Sequence, residues 1–253
     1  MRVIVLRPGI PGQELVSRLQ VIGFSAEHCP LIDFQSVAPT AKDQALLHNL
    51  SNYTIIVALS PRAAEFIQPW LPDKPKPWPT QVAYYAVGQA SAQAFRQQCG
   101  QSVQYPAGHS SSESLLALSR FAQVTGDMIL LLRGQGGRRF LADQLVKRGA
   151  KVSTCRCYRR ISIKNYRLEQ RDFWQQTAVN CLVVTSSELL RRLCIVVPSS
   201  IHSQLFGCLM VVVSKRLAKI AYQLGWRWIT VADNADNDAL VRMIRSEANI
   251  LTL

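Results

Sequence analysis

The hydrophobic positions of the chain form short apolar runs, separated by stretches with helical spacing. Leu15, Leu19 and Ile22 share one face of a predicted helix over 13–22, and a second helix is predicted over 138–148. Strands that alternate with helices of about ten residues are typical of βα units and parallel sheets, so an α/β fold is expected. The predicted strands are 2–6, 54–59, 82–87, 128–132, 180–184, 209–213 and 228–231, with weaker candidates near 26–35, 102–105 and 151–161.

The second half of the chain repeats the first at a constant offset of 126 positions. The strands predicted at 54–59 and 82–87 fall on 180–184 and 208–213 without a gap. Each half has the size of a flavodoxin-like unit. We therefore expect two flavodoxin-like parallel-sheet lobes that arose by internal duplication. The matching residues include Arg7 with Arg133, Leu15 with Leu141, Gly23 with Gly149 and Ser60 with Ser186.

The charge balance points to an anionic partner. The chain carries 29 Lys and Arg against 16 Asp and Glu, a formal net charge of +13. Such an excess attracts nucleic acid, an acidic membrane surface or a polyanionic small molecule, and charge alone does not choose among them. No apolar run approaches the roughly 20 residues of a membrane span. The opening segment resembles a strand rather than a signal peptide, and seven cysteines without framework spacing indicate reduced thiols in the cytoplasm.

Small, hydroxyl or basic residues follow the carboxyl ends of the predicted strands, where ligands bind in open parallel sheets. A helix that begins there turns its free N–H groups and the positive end of its dipole outward, which suits a carboxylate or a phosphate. The alternative is that these serines and glycines only cap their helices. The candidates for anion binding are Arg7, Ser60, Gly88, Arg133, Gly134, Arg138, Thr185, Ser186, Ser214 and Lys215.

Two segments interrupt the pattern of elements. Five prolines within 69–79 predict an irregular surface loop. The segment 134–139, Gly-Gln-Gly-Gly-Arg-Arg, completes neither of the glycine-rich nucleotide motifs. A flexible, basic helix start and a plain glycine turn are the two interpretations of that segment.

Motifs for metal binding are weak. Cys155 and Cys157 lack a second pair, and the four histidines are scattered. The acidic stretch 233–238 lacks the glycine and closing glutamate of a calcium loop, so Asp236 or Asn237 is expected to cap the following helix. We expect neither a metal nor a nucleophilic triad.

Tyr158 lies in the weak strand candidate over 151–161. A lone tyrosine on a strand usually packs half-buried, with its hydroxyl on a backbone group. If the hydroxyl faces a cleft instead, it is available as a proton donor.

Taken in order, these segments resemble the uroporphyrinogen-III synthase family over essentially the whole chain. The individual motifs are short, and their joint order is the specific signal. Residues 213–240 resemble the enterobacterial-type branch especially. The other matching segments are 5–8 (Val-Leu-Arg-Pro), 30–34 (Pro-Leu-Ile-Asp-Phe), 58–60 (Ala-Leu-Ser), 86–88 (Ala-Val-Gly), 130–134 (Leu-Leu-Leu-Arg-Gly), 157–159 (Cys-Tyr-Arg) and 184–186 (Val-Thr-Ser).

The resemblance implies two lobes joined by a two-stranded antiparallel linker, about 29–36 and 155–162, with the product held between the lobes. One lobe would combine 1–35 with 162–253, and the other would be 36–161. Because the linker strands are equivalent in the two copies, the lobes would exchange their first βα segments, as in a domain swap.

The implied activity is that of a cyclising lyase of tetrapyrrole (haem) biosynthesis. Such an enzyme converts hydroxymethylbilane, a linear tetrapyrrole with eight carboxylates, to uroporphyrinogen III with loss of water and inversion of ring D. Free hydroxymethylbilane closes unaided to isomer I. The enzyme therefore has to position the reacting ends and stabilise a cationic azafulvene and a spiro intermediate. No cofactor is implied, and the eight carboxylates agree with the net charge.

The resemblance also assigns roles to individual residues. Tyr158 matches the linker tyrosine and is the candidate general acid for departure of the hydroxyl, and the strand-end residues would hold carboxylates. Leu217 stands where the family often has a threonine, so a hydroxyl contact is missing there. We expect a cytoplasmic monomer without nucleic-acid or membrane partners, and the enzyme that makes the substrate is a candidate for transient contact.

Two other classes of protein stay open. A non-catalytic, two-lobed anion- or solute-binding protein would have a similar cleft. A nucleic-acid-binding protein would explain the charge, although the sequence contains no recognised module.

Overall fold

The structure, a computed structural model, describes residues 1–71, 78–108, 110–163, 172–174 and 179–251. It divides into two units, Met1–Asp33 with Ile161–Leu253, and Phe34–Arg160. The chain therefore passes between the units within two strands, β3 (Ile32–Ser36) and β8 (Lys151–Ser162). In the described ranges no helix is long and apolar enough to cross a lipid bilayer.

The first unit contains a parallel five-stranded sheet. Val5, Val183 and Val211 pack against Leu15 and Leu19 in one apolar core. Each such residue stabilises the fold by about 1.5–3 kcal/mol when it is fully buried. Across the sheet the strands are β11 (Ile229–Val231), β10 (Leu209–Val212), β9 (Cys181–Val184), β1 (Arg2–Val5) and β2 (Ser25–His28). The helices are α1 (Ile10–Val21), α8 (Ser187–Val196), α9 (His202–Phe206), α10 (Lys215–Leu224) and α11 (Asn237–Leu251).

The second unit contains a six-stranded sheet. Across it the strands are β3, β8, β7 (Met128–Gly134), β4 (Ile55–Ala58), β5 (Ala83–Ala86) and β6 (Val103–Gln104), and those from β8 to β6 are parallel. The helices are α2 (Ala41–His48), α3 (Pro61–Ile67), α4 (Gln89–Cys99), α5 (Ser112–Leu116), α6 (Ser119–Ala122) and α7 (Phe140–Lys147). The predicted α/β class with parallel sheets is confirmed.

Backbone hydrogen bonds show the direction of β3 relative to β8. The N–H of Ile163 donates to the oxygen of Leu31, and the N–H of Val37 donates to that of Cys157. The residue numbers in one segment rise as those of their partners in the other segment fall, which is the antiparallel pattern. The predicted antiparallel pairing of these segments is therefore present.

The second unit buries both faces of its sheet. Alternate residues of β4 enter two separate cores, with Ile56 on one side and Val57 on the other. Trp78 is also buried, beside Phe95 in the first of these cores. The prediction of a surface loop over 69–79 was therefore wrong at Trp78, which is buried. Residues 72–77 lie outside the described residues.

The structural elements follow the offset of 126 positions seen in the sequence. Adding 126 to the bounds of β4 and β5 gives those of β9 and β10. Strands β2 and β3 together match β8 at this offset, so they count as one strand of the first half. With strands numbered 1 to 5 within each half, both parallel sheets have the order 2-1-3-4-5, the flavodoxin-like order. Each sheet takes strands 1 and 2 from one half and strands 3 to 5 from the other. We propose an internal duplication with exchange of the first strands as the origin of this arrangement.

Candidate active site

Tyr158 lies at a β-bulge where β8 pairs with the carboxyl end of β7. The parallel register is regular up to Arg133 opposite Arg156, and then shifts so that Gly134 lies opposite Tyr158. Cys157 is the extra residue, and both Cys157 and Tyr158 belong to the same buried core. The bulge thus turns the tyrosine away from the outer face of the strand, as bulges commonly do beside functional sites.

The ring of Tyr158 is enclosed on several sides, and the residue is 7% exposed. Phe66 of α3 stacks on it at 5.7 Å between ring centroids, and Phe34 of β3 meets it edge-on at 5.6 Å. A Cβ built on Gly134 would lie 2.6 Å from Cζ of the tyrosine. The guanidinium of Arg62 lies 3.7 Å from the centre of the Phe34 ring, which adds a cation–π contact behind it.

The hydroxyl of Tyr158 meets the hydroxyl of Ser60 at 3.0 Å. Ser60 also caps α3, because its Oγ accepts a hydrogen bond from the N–H of Ala63 at 3.1 Å. A pocket of about 150 Å³ opens beside this pair, and Arg133 and Arg160 contribute to its lining. A neutral proton donor and a second hydroxyl therefore lie together in the wall of a polar pocket.

Arg133 binds the protein's own backbone. Its guanidinium donates to the carbonyl oxygens of Gly134 (3.3 Å), Arg138 (3.1 Å) and Gly136. Burial, followed by the nearby charge of Arg156, lowers the pKa of Arg133. The side chain thus holds the glycine-rich loop in place, and a direct contact with a substrate carboxylate stays a prediction.

The segment 135–139 is a turn between β7 and α7, and the helix predicted over 138–148 begins two residues later than expected. Strand β7 continues to Gly134, and α7 begins only at Phe140. Gly136 and Gly137 have φ values of +74° and +79°, a region that favours glycine and is incompatible with a right-handed helix. A glycine turn thus describes the conformation of this segment, and anion binding by it stays a prediction.

Two more candidates of the second unit, Arg138 and Gly88, lie against other residues of the protein. Arg138 pairs with Glu113 at 2.9 Å on the surface, and a backbone hydrogen bond, followed by this contact, lowers the pKa of Glu113. Gly88 is the N-cap of α4, and a Cβ on it would overlap the side chain of Ser110. Ser110 thus joins the candidate site at the end of β5. The sequence pattern did not indicate it, because it comes from a loop that follows β6.

A larger pocket of about 460 Å³ lies between α7 and the strands β7 and β8. Its lining includes Arg133, Arg139 and Arg156, together with the carboxylate of Asp143, which lies 3.8 Å from Arg139. Arg139 and Arg156 are not among the candidates that the predicted strand ends indicated. The alternation of Thr154 and Arg156 along a strand was the signal that could have identified Arg156.

In the first unit, Arg7 holds the acidic segment before α11. Its Nη1 donates to the oxygen of Ala235 at 2.7 Å and to Oδ1 of Asn237 at 2.8 Å. Asp236 caps that helix by accepting a hydrogen bond from the N–H of Ala239 at 2.7 Å, so the predicted cap is confirmed. A contact between Arg7 and a carboxylate stays a prediction.

Ser186 and Ser214 cap the helices that follow β9 and β10. Their Oγ atoms accept hydrogen bonds from Leu189 N–H at 3.3 Å and Leu217 N–H at 3.2 Å. Both serines therefore cap their helices, as expected of hydroxyl residues at these positions. The other first-turn N–H groups have no acceptor within their own helix, so carboxylate binding stays a prediction for these ends. Thr185 precedes one cap, and the exposed Lys215 follows the other.

Leu217 lies in the first turn of α10, and only 2% of it is exposed. The position that often carries a threonine in the family is thus part of the apolar packing beneath a helix in this chain. A hydroxyl there would be buried rather than presented at the strand ends.

Across the part of the chain that the structure describes, no group of three or more His, Cys, Asp or Glu residues is arranged to hold a metal ion. His109 lies outside the described residues. The seven cysteines are free thiols.

Doubly wound parallel sheets, with hydroxyl and basic side chains at their strand ends, define an α/β protein suited to an anionic ligand. A family model described as "Uroporphyrinogen-III synthase HemD" matches residues 13–242. The chain belongs to the uroporphyrinogen-III synthase family.

Curated relatives and solved structures agree with this assignment. The uroporphyrinogen-III synthase of Escherichia coli (strain K12) is 41% identical over 248 residues, which cover 97% of this chain and 100% of the relative. That of Salmonella typhimurium is 39% identical, with the same coverage. A mutant uroporphyrinogen III synthase of Thermus thermophilus has a TM-score of 0.65 at 16% identity, covering 98% of this chain and 99% of that one. The uroporphyrinogen-III synthetase of Helicobacter pylori 26695 has a TM-score of 0.62 at 12% identity, covering 97% of this chain and 99% of that one. At these identities the solved structures show the fold alone.

Proposed function

We propose that this chain is a uroporphyrinogen-III synthase that cyclises hydroxymethylbilane to uroporphyrinogen III, with loss of water and inversion of ring D. The observation that carries the proposal is the Tyr158 hydroxyl, held against Ser60 in a polar pocket. It occurs in a chain 41% identical over nearly its whole length to a curated synthase. Membership of an enzyme family favours this activity over the solute-binding and nucleic-acid-binding alternatives.

In the first step, the Tyr158 hydroxyl gives its proton to the terminal hydroxyl of the substrate. The carbon–oxygen bond breaks, both electrons leave with the oxygen, and water departs. The lone pair of the pyrrole nitrogen delocalises into the ring and leaves a cationic azafulvene. Ser60, at 3.0 Å, donates a hydrogen bond to the tyrosinate oxygen and stabilises it. The proton lost when the macrocycle closes restores the tyrosine.

The remaining work of the enzyme is positional. Arg133 fixes the glycine-rich loop beside the pocket through three carbonyl groups. Arg139 and Arg156 add positive charge in the neighbouring pocket of the same unit. The net charge of +13 speeds the capture of an octacarboxylate. Each exposed ion pair contributes only about 0–1 kcal/mol, so affinity for the substrate is spread over many residues.

The proposed enzyme needs no cofactor for this chemistry, because its steps are proton transfer, loss of water, and the formation and cleavage of carbon–carbon bonds at the spiro intermediate, with no net oxidation or reduction. A cytoplasmic location, a monomeric state and transient contact with the enzyme that produces hydroxymethylbilane stay predictions. The seven free thiols are what a reducing compartment favours.

Separation of the isomers formed from hydroxymethylbilane tests the proposal. The purified chain is mixed with the substrate, and the products are oxidised to porphyrins and resolved by chromatography. Isomer III in excess of isomer I is the expected result, and its rate should scale with protein concentration. Isomer I alone, at the rate of the protein-free reaction, would contradict the proposed function.

A further inference from the structure

We propose that Gly134 is a positioning residue, whose missing side chain makes room for the ring of Tyr158 and so sets where the tyrosine hydroxyl lies. This inference rests on the proposed function and deepens it. It gives Gly134 a role in the site that is separate from holding a carboxylate.

The backbone conformation of Gly134 does not require glycine. Gly136 and Gly137 have positive φ values, whereas Gly134 is the last residue of the extended strand β7. What excludes a side chain is the neighbouring ring. A Cβ at this position would lie 2.6 Å from Cζ of Tyr158 and 2.7 Å from Cε2, well inside the 3.4 Å at which ordinary contact begins.

The strand geometry explains why this space is filled by a tyrosine. Leu130 and Leu132 of β7 point into the same core as Tyr158, and Gly134 is the next residue on that face. The glycine leaves a gap in the row of side chains. The bulge at Cys157 brings the tyrosine ring into the gap, because it shifts Tyr158 opposite Gly134.

The other half of the chain supports the pairing. The offset of 126 positions relates Gly134 to Pro8 and Tyr158 to Ile32. Glycine and tyrosine thus occur together in one half, and neither occurs at the equivalent position of the other half.

The remaining contacts leave the ring little freedom to move. Phe66 stacks on it, Phe34 meets it edge-on, and Ser60 bonds the hydroxyl. A methyl group on Gly134 therefore forces the ring or the strand to shift by roughly 1 Å, a displacement that costs up to about a hundredfold in rate at a reacting centre.

A double-mutant cycle tests the proposal. Wild type, Gly134→Ala, Tyr158→Phe and the double variant are compared by kcat and KM for isomer III and by urea unfolding. Gly207→Ala is the control, because its Cβ would lie 3.4 Å from the nearest atom, at ordinary contact distance. We expect Gly134→Ala to lower kcat about tenfold with KM nearly unchanged. In the Tyr158→Phe background the same change should leave kcat nearly unaltered, because there is no hydroxyl to misplace. Stability should fall equally in both backgrounds, since phenylalanine keeps the ring.

An equal loss of kcat in the two backgrounds would show a general structural role and overturn the proposal. Wild-type kcat in Gly134→Ala, or in Tyr158→Phe alone, would also overturn it. If Gly134→Ala does not fold, Phe66→Leu replaces it in the cycle, because that change loosens the ring without a clash and should lower kcat only when Tyr158 is present. Failure of the proposed function is a distinct result, in which the wild type itself forms only isomer I.

Discussion

The hydroxyl of Tyr158 lies 3.0 Å from the hydroxyl of Ser60, although the two residues are 98 positions apart in the chain. One comes from a bulge in β8, and the other caps α3 at the end of β4. Each is fixed by contacts that do not involve the other, so the pair is set in place before a substrate arrives. Such preorganisation is what proton transfer to a leaving group requires.

Replacement of Ser60 separates its two roles. Ser60→Ala removes a helix cap, which costs about 1 kcal/mol of unfolding free energy, and also removes the partner of the Tyr158 hydroxyl. We expect the rate of isomer III formation to fall about tenfold, as for loss of one hydrogen bond to a charged group. Thr40→Ala is the matched control, because Thr40 caps α2 in the same unit through the N–H of Asp43. Similar losses of stability with equal rates in the two variants would contradict the role of Ser60.

Arg133 is expected to stabilise the glycine-rich loop more than it binds substrate. Arg133→Lys replaces the guanidinium fork with a single ammonium group, which cannot reach three carbonyl oxygens in the same geometry. We predict a loss of about 1–3 kcal/mol in unfolding free energy. The N–H of Gln135, which donates to the oxygen of Tyr158 at 2.6 Å, should also exchange its hydrogen faster.

Arg138→Ala provides the comparison for this variant. It breaks an exposed ion pair with Glu113, so a loss of about 0–1 kcal/mol is expected. Urea unfolding and amide exchange measure both variants. Equal effects would show that the loop does not depend on Arg133.

The sequence predicts the fold of this chain better than it predicts the site. Strands such as β4 and β9 are continuous apolar runs, and the constant offset identifies them as equivalent. Helix α2 has a single buried residue, Leu47, so its periodicity is weak. Its capping box at Thr40 and Asp43 was the available signal.

Within the site, the strand ends indicated Ser60 as an anion-binding candidate, and the family resemblance indicated Tyr158. Their contact could not be predicted, because it depends on a one-residue shift of register at the bulge. The hydrogen bonds from Arg133 to its own loop could not be predicted either. Residue type alone does not tell whether a guanidinium binds backbone or ligand.

Replacement of Leu217 by threonine, the residue that the family often has, is expected to destabilise the chain. Leu217→Thr buries a hydroxyl beneath α10 and should cost about 1–3 kcal/mol, without raising the rate of isomer III formation. Leu217→Val is the control, because valine has nearly the same shape as threonine and lacks its hydroxyl. A faster Leu217→Thr enzyme would show that position 217 contacts the substrate.

The ion pair between Arg120 and Asp127 should make the stability of the chain depend on pH. The oxygen of Asp127 lies 2.7 Å from Arg120, and this hydrogen bond holds the pKa of Asp127 below its ordinary value. Because the pKa in the folded state is lower than the unfolded value of about 3.9, the contribution is present at neutral pH. It is lost as the pH falls through the folded pKa.

Asp127→Asn tests this dependence by urea unfolding. The variant should be less stable than the wild type by about 1 kcal/mol at pH 7, and the difference should shrink below about pH 4. A difference that does not change with pH would contradict the assignment.

The rate of isomer III formation by Tyr158→Phe tests the central claim most directly. The change keeps the ring among Phe34, Phe66 and Gly134 and removes only the hydroxyl. With stability near that of the wild type, we predict a loss of kcat of about tenfold or more, since general acid catalysis typically contributes 10²–10⁴-fold. Isomer I from unassisted closure should rise in proportion. A Tyr158→Phe enzyme that forms isomer III at the wild-type rate would contradict the account.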